Sequence, residues 1–247
     1  MKKLVYSLIV TVLFSASSFA QIGKWLAVAG ADLVGAGAGV MAVKEIGLAF
    51  GTFTGGTGTA IVYAGAGIIC GAGASYQAHD AMTPKTNSTT KSTSSVVFTL
   101  PSQFSEYNIG ARHNEVLDNC YFVNASPQAY LYKYYDRTAI DFLYNHSAWP
   151  SISNSINAMA QSYETHLDFA RLLSEHRAKN YITGGMSTFL SNFYGALSTA
   201  KTLDEALTIV NTHTGRIAGS GYSDHEKSAL YASMSVAASS LKYWYGY

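Results

Sequence analysis

The chain has 247 residues, 48% of them hydrophobic and 13% charged, with 16 Lys and Arg against 15 Asp and Glu. A formal charge of +1 gives no electrostatic reason to seek nucleic acid or an anionic surface, so nucleic-acid binding is excluded as the working class. Two cysteines, Cys70 and Cys120, exclude a disulfide framework, and the length fits one or two domains.

The first twenty residues carry an export signal. Lys2 and Lys3 form a positive start, Leu4 to Phe14 an apolar run, and Ser18-Phe19-Ala20 the small residues that signal peptidase requires. The run is too short to cross a bilayer as a helix. Gln21 becomes the mature N-terminus, the formal charge falls to −1, and the protein is expected in the periplasm, on the outer surface or secreted. Such a location permits a Cys70–Cys120 bridge, although two buried free thiols account for them equally well.

Residues 21–79 are dominated by Gly, Ala and aliphatics, and between Glu45 and Asp80 there are 34 consecutive uncharged residues. The cluster Thr54-Gly55-Gly56-Thr57-Gly58-Thr59 is a hinge between two apolar halves, which predicts a helical hairpin near 23–50 and 59–78. Small residues recur every fourth position: Gly35 and Gly39; Gly47, Gly51 and Gly55; Gly67 and Gly71. On a helix they make a flat ridge that lets another backbone approach closely, as in lipid. In water each interior glycine costs about 1 kcal/mol relative to Ala, so the segment needs a partner. Insertion in a bilayer is finely balanced, because Asp32 at roughly 2.5 to 3.5 kcal/mol nearly cancels the aliphatic gain. The glycines make no phosphate loop, since neither a Gly-Lys-Ser/Thr ending nor a strand–turn–helix unit accompanies them, and no cofactor is expected.

Residues 80–95 form a Ser/Thr-rich linker with little to bury. Beyond it, apolar residues at steps of three and four predict helices near 104–123, 127–146, 151–179, 184–200, 202–214 and 223–244. Thr202 with Glu205, and Ser223 with Glu226, are capping boxes. Val96-Val97-Phe98 is the one strand signal. The predicted fold class is therefore mainly α: signal peptide 1–20, glycine-rich hairpin 21–79, linker 80–95 and an all-α domain of roughly six helices over 96–247.

Catalytic signals are sparse. His113, in Arg112-His113-Asn114-Glu115, shares a helix face with Ile109, Val116 and Cys120 and should point inward. It is either a core histidine bonded to another helix or a general base whose acidic partners come from folding. No HExxH, compact His/Cys/carboxylate set or Gly-x-Ser-x-Gly occurs, so neither a metal nor a serine nucleophile is expected. Tyr130, Tyr132, Tyr134, Tyr135 and Tyr144, and the closing Tyr243-Trp244-Tyr245-Gly246-Tyr247, fit either core filling or an interface surface.

The glycine-rich zone resembles glycine-zipper segments of bacterial envelope proteins and small membrane-active bacteriocins, a likeness that implies helix pairing at a membrane and permeabilisation of a target cell. The "HN..LD" run Ile109 to Asp118, with the closing helix Ser223 to Trp244, resembles exported Bacteroidota proteins of no known activity. That likeness implies that His113, Asn114 and Trp244 belong to one packed helical domain. The function expected is an exported, envelope-associated or secreted non-enzymatic protein, bacteriocin-like at its sharpest. Its glycine-rich segment would pack with a membrane, with partner helices or with a second copy in a homo-oligomer. The alternatives are an exported hydrolase using His113 and a structural or adhesive surface protein.

Overall fold

The computed structural model describes residues 25–79 and 94–244. The signal peptide and nearly all of the predicted linker lie outside them. Among the described residues the protein is all-α, with no strand.

The glycine-rich zone forms three helices: α1 (Trp25–Ala42), α2 (Lys44–Thr54) and α3 (Thr57–His79). α1 and α2 are nearly continuous, interrupted at Val43 alone, and together make one arm of the predicted hairpin; α3 is the other. The turn between the arms is set by Gly55, whose φ of +65° is left-handed and whose N–H caps the Gly51 carbonyl. Without a Cβ, glycine takes that conformation at no steric cost.

The remaining helices are α4 (Ser102–Ser105), α5 (Ile109–Val116), α6 (Pro127–Leu131), α7 (Arg137–Asn145), α8 (Trp149–His166), α9 (Phe169–Ala178), α10 (Gly184–Leu197), α11 (Leu203–Ala218) and α12 (Asp224–Trp244), with a π-helical turn at Leu117–Tyr121 after α5. Three helices predicted as single are each broken. Asn108, in the left-handed region at φ +47°, separates α4 from α5. Asp136 caps α7 by accepting from the Ala139 amide, after a loop that ends α6. Leu167, at φ +51°, stops α8, and Asp168 then caps α9 through the Arg171 amide. Both capping boxes form in part or in full: Thr202 accepts from Glu205 N–H, while Ser223 and Glu226 bond each other's amides.

The predicted division between hairpin and domain is not a division in packing. α3 lies against α5, α7, α8 and α12, and buried residues of the hairpin and of the later helices make one continuous core. From Trp25 to Val40, from Ala64 to Ser75 and from Ala229 to Ala238 every residue is buried. α1, α3 and α12 therefore form the centre, surrounded by helices with one polar face. A helix apolar on all sides is stable in water only when enclosed in this way.

Residues 94–100 are extended rather than a strand. Burial alternates with period two, Val96, Phe98 and Leu100 facing the helices and Val97 and Thr99 facing out. Their ladder partner is a single side chain: the Asn211 amide donates to the Val97 carbonyl at 2.9 Å and accepts from the Thr99 N–H at 3.3 Å. Ser94 and Ser95 anchor the start of this strap on Asp204. Asn211→Ala is expected to cost about 1 kcal/mol, the net worth of such bonds. Hydrogen exchange should show it as selectively faster exchange of the Thr99 amide.

Candidate functional site

The predicted glycine ridge is met from both sides within the chain. A Cβ on Gly35 would lie 2.7 Å from the Ala74 Cβ and 2.8 Å from the Cys70 carbonyl oxygen; one on Gly39 would lie 2.7 Å from the Ala66 oxygen. From the other helix, Gly67 faces Val40 and Ala36, and Gly71 faces Ala36 and the Asp32 carbonyl. These four glycines thus press α1 and α3 backbone to backbone. Gly47 and Gly51 play a related part between α2 and α3, receiving the Tyr63 ring and the Thr59 side chain. Gly55 differs from the packing role expected of it: nothing approaches within 4 Å, and its work is the turn.

Gly71 has a second neighbour, the His113 ring, whose Cδ2 would sit 3.1 Å from an added Cβ. The absent side chain makes room for an imidazole at the centre of the bundle. His113 and Asp32 are both fully buried, with His113 Nε2 3.8 Å from Asp32 Oδ2. Folding therefore supplies the acid that His113 lacked in its own helix, and it comes from the glycine-rich segment. Ser240 of α12 donates to the same carboxylate oxygen, and the Trp244 indole donates to Ser75 at 3.3 Å. Asn114 fixes the imidazole. Its Nδ2 donates to the Ser239 carbonyl at 3.0 Å, leaving Oδ1 to accept from His113 Nδ1 at 2.8 Å. In the neutral ring this places the proton on Nδ1 and turns a bare Nε2 toward Asp32. Asp32 Oδ1 and His113 Nε2 have no hydrogen-bond partner.

Burial dominates the protonation of both groups. It raises the Asp32 carboxyl to about 8, against the smaller opposing effects of Ser240, Ser75 and Trp244. It lowers the His113 imidazole to about 4, opposed by Asn114 and the Gly71 carbonyl. Removing a charge from water costs several kcal/mol, so both prefer the neutral form. With zero exposure at either side chain, an external substrate meets this pair only if the bundle opens.

The other sequence signals fall apart in space or are used by the fold. His176 is buried and bonded to the Leu172 carbonyl, and His213 to the Ile209 carbonyl. Cys70 and Cys120 are free and buried. Among the described residues no group of His, Cys, Asp and Glu could hold a metal. The tyrosines divide: Tyr144 packs on Trp149 beside the core, whereas Tyr130 reaches Glu115 and Tyr132 reaches Asp141 at the surface. A shallow cleft of about 530 Å³ lined by Thr199, Lys201, Asp204 and Glu205 has its acids engaged, Asp204 by the strap and Glu205 by the Lys201 amide.

One surface feature was not anticipated. On α2, Phe53 is 80% exposed and Leu48 47% exposed, next to the exposed Ala49 and Thr52. This apolar face closes the uncharged corner between α2 and α3. The signal was present in the sequence as aromatic Phe53 one residue before the glycine hinge. No protein-family model, curated protein or solved structure matches the chain, so its chemistry is read from its own geometry.

Proposed function

We propose that this is an exported, envelope-associated, non-enzymatic protein that docks on a lipid surface through the α2–α3 corner, with the glycine-rich helices as its rigid centre. The observation that carries the reading is the exposed Phe53 and Leu48 on a helix end that has no charge from Ile46 onward. Moving a Phe or Leu side chain out of water yields about 1.5–3 kcal/mol when complete. Two of them give weak, reversible attachment, no stronger than the marginal binding of a single acyl chain. A surface with net formal charge near zero adds no Coulombic pull, so attachment should depend little on lipid charge or salt.

Flotation with zwitterionic vesicles tests this. The protein should co-float, and Phe53→Ser should reduce the bound fraction about tenfold by losing roughly 1.5 kcal/mol or more of transfer free energy. Equal binding by the variant, or none by the wild type, would remove the proposal. Dye-loaded vesicles extend the experiment: leakage would favour the bacteriocin-like version, in which the membrane-length helices α1 and α3 leave the core, and binding without leakage a peripheral role.

A further inference from the structure

The Asp32–His113 pair has a consequence that does not depend on lipid binding. We propose that Asp32 and His113 hold a single proton between them in the folded protein and act as a pH latch on the central helices, neutral as a unit until a second proton enters or the one is lost. The geometry assigns this role. Two ionisable side chains from α1 and α5 approach to 3.8 Å with no exposure, and His113 Nε2 and the second carboxyl oxygen of Asp32, Oδ1, have no hydrogen-bond partner. The bare Nε2 faces the carboxyl, so a carboxylic acid beside imidazole and a carboxylate beside imidazolium differ only in where that proton sits. Either form leaves no net charge in the core. Both of the other protonation states leave a lone buried charge between α1, α5 and α12.

The surrounding groups are hydrogen-bond donors that soften such a charge without supplying an opposite one. From α3 comes the Ser75 hydroxyl, from α12 Ser240 and Trp244, and from α8 the Tyr163 phenol, which burial holds far above its usual range. The charged side chains of α5, of the π-helical turn and of the end of α12 stay outside: Arg112 pairs with Glu115, Tyr243 donates to Asp118, and Lys242 is exposed.

In the folded state the pair keeps one proton between about pH 4 and about 8. In the unfolded chain, ordinary values of about 3.9 for Asp and 6.5 for His also leave one proton between those limits. Across that shared window the pair takes up no protons on unfolding and contributes no slope to stability. Replacing either partner breaks the balance in opposite senses. In Asp32→Asn the folded imidazole stays neutral while the unfolded one protonates below about 6.5, so stability falls as pH falls. In His113→Gln the folded carboxyl keeps its proton while the unfolded one loses it above about 3.9, so stability falls as pH rises.

Urea denaturation of the full chain between about pH 4.5 and 6 reads both directions. Relative to wild type, the folding equilibrium constant of Asp32→Asn should drop tenfold per pH unit on acidification, and that of His113→Gln tenfold per pH unit on the way up. His176 and His225, whose imidazoles burial also lowers, add an acid sensitivity common to all the proteins that cancels in the comparison. Should a single variant not fold, the doubly neutral Asp32→Asn/His113→Gln protein should fold and follow the wild-type slope. Parallel profiles for wild type and a single variant, or a double variant that departs from wild type or does not fold, overturn the latch.

Discussion

A chain beginning at residue 94 is expected to have no cooperative fold. Each side of the central helices depends on the segment that such a deletion removes. Ile140, Leu143 and Leu131 close on Gly65, Tyr121 donates to the Ile69 carbonyl, and Ser240 and Trp244 reach Asp32 and Ser75. Val28, Leu33, Val34, Val40, Val62, Ile68 and Ile69 would vanish from the core. At about 1.5–3 kcal/mol per buried aliphatic side chain, seven of them match or exceed the whole stability of a typical domain, about 5–15 kcal/mol. α12, buried on every face over ten residues, would be left open along the side that faces α1 and α3. Such a fragment should retain helical far-ultraviolet dichroism, lose near-ultraviolet dichroism and bind a hydrophobic dye. A sharp thermal transition for 94–247, coincident by both probes, would show that the later helices close without the hairpin.

The individual helices were legible because apolar spacing and caps are local signals. Asp136 and Asp168 are themselves good N-caps, yet the apolar stripe runs past them in sequence, and the stripe alone predicts one helix where there are two. Nothing local marks Leu167, a half-exposed residue that ends α8 in the left-handed conformation with its N–H on the Tyr163 carbonyl. Val96-Val97-Phe98 carries a strand signal in its β-branched and aromatic residues; the extended backbone is there, and a helix side chain at Asn211 stands in for the missing neighbour. The pair at the centre was harder to foresee. Asp32 reads in sequence as the one obstacle to membrane insertion, and His113 as an inward histidine without a partner. Only the close approach of α1 to α3, with Gly71 vacating space for the ring, brings the two ionisable groups to one point. The ridge was visible as spacing, but spacing alone does not say whether lipid, another chain or the same chain presses on it.

That close approach predicts opposite signs for the same substitution at different glycines. Gly195 in α10 and Gly215 in α11 have nothing within 4 Å of an added Cβ, so Ala there should stabilise by about 0.5–1 kcal/mol through helix propensity and a stiffer unfolded chain. At Gly39 the methyl would stand 2.7 Å from the Ala66 carbonyl oxygen, and at Gly35 2.8 Å from the Cys70 carbonyl oxygen. Both obstacles are backbone, which cannot rotate away, so α1 and α3 must separate. Overpacking of this kind costs about 1–3 kcal/mol, enough to exceed the propensity gain and make each variant a net loss of about 1–2 kcal/mol. Leu at Gly39 should cost more and leave little folded protein. Because Gly35 and Gly39 both press on Cys70, the double alanine variant should lose less than the two single losses combined: once the first methyl has moved α3 away, the second meets a wider gap. Urea midpoints at constant m-value measure all of these. If Gly39→Ala is as stabilising as Gly195→Ala, the helices are not in backbone contact, and the room that Gly71 makes for His113 loses its foundation as well.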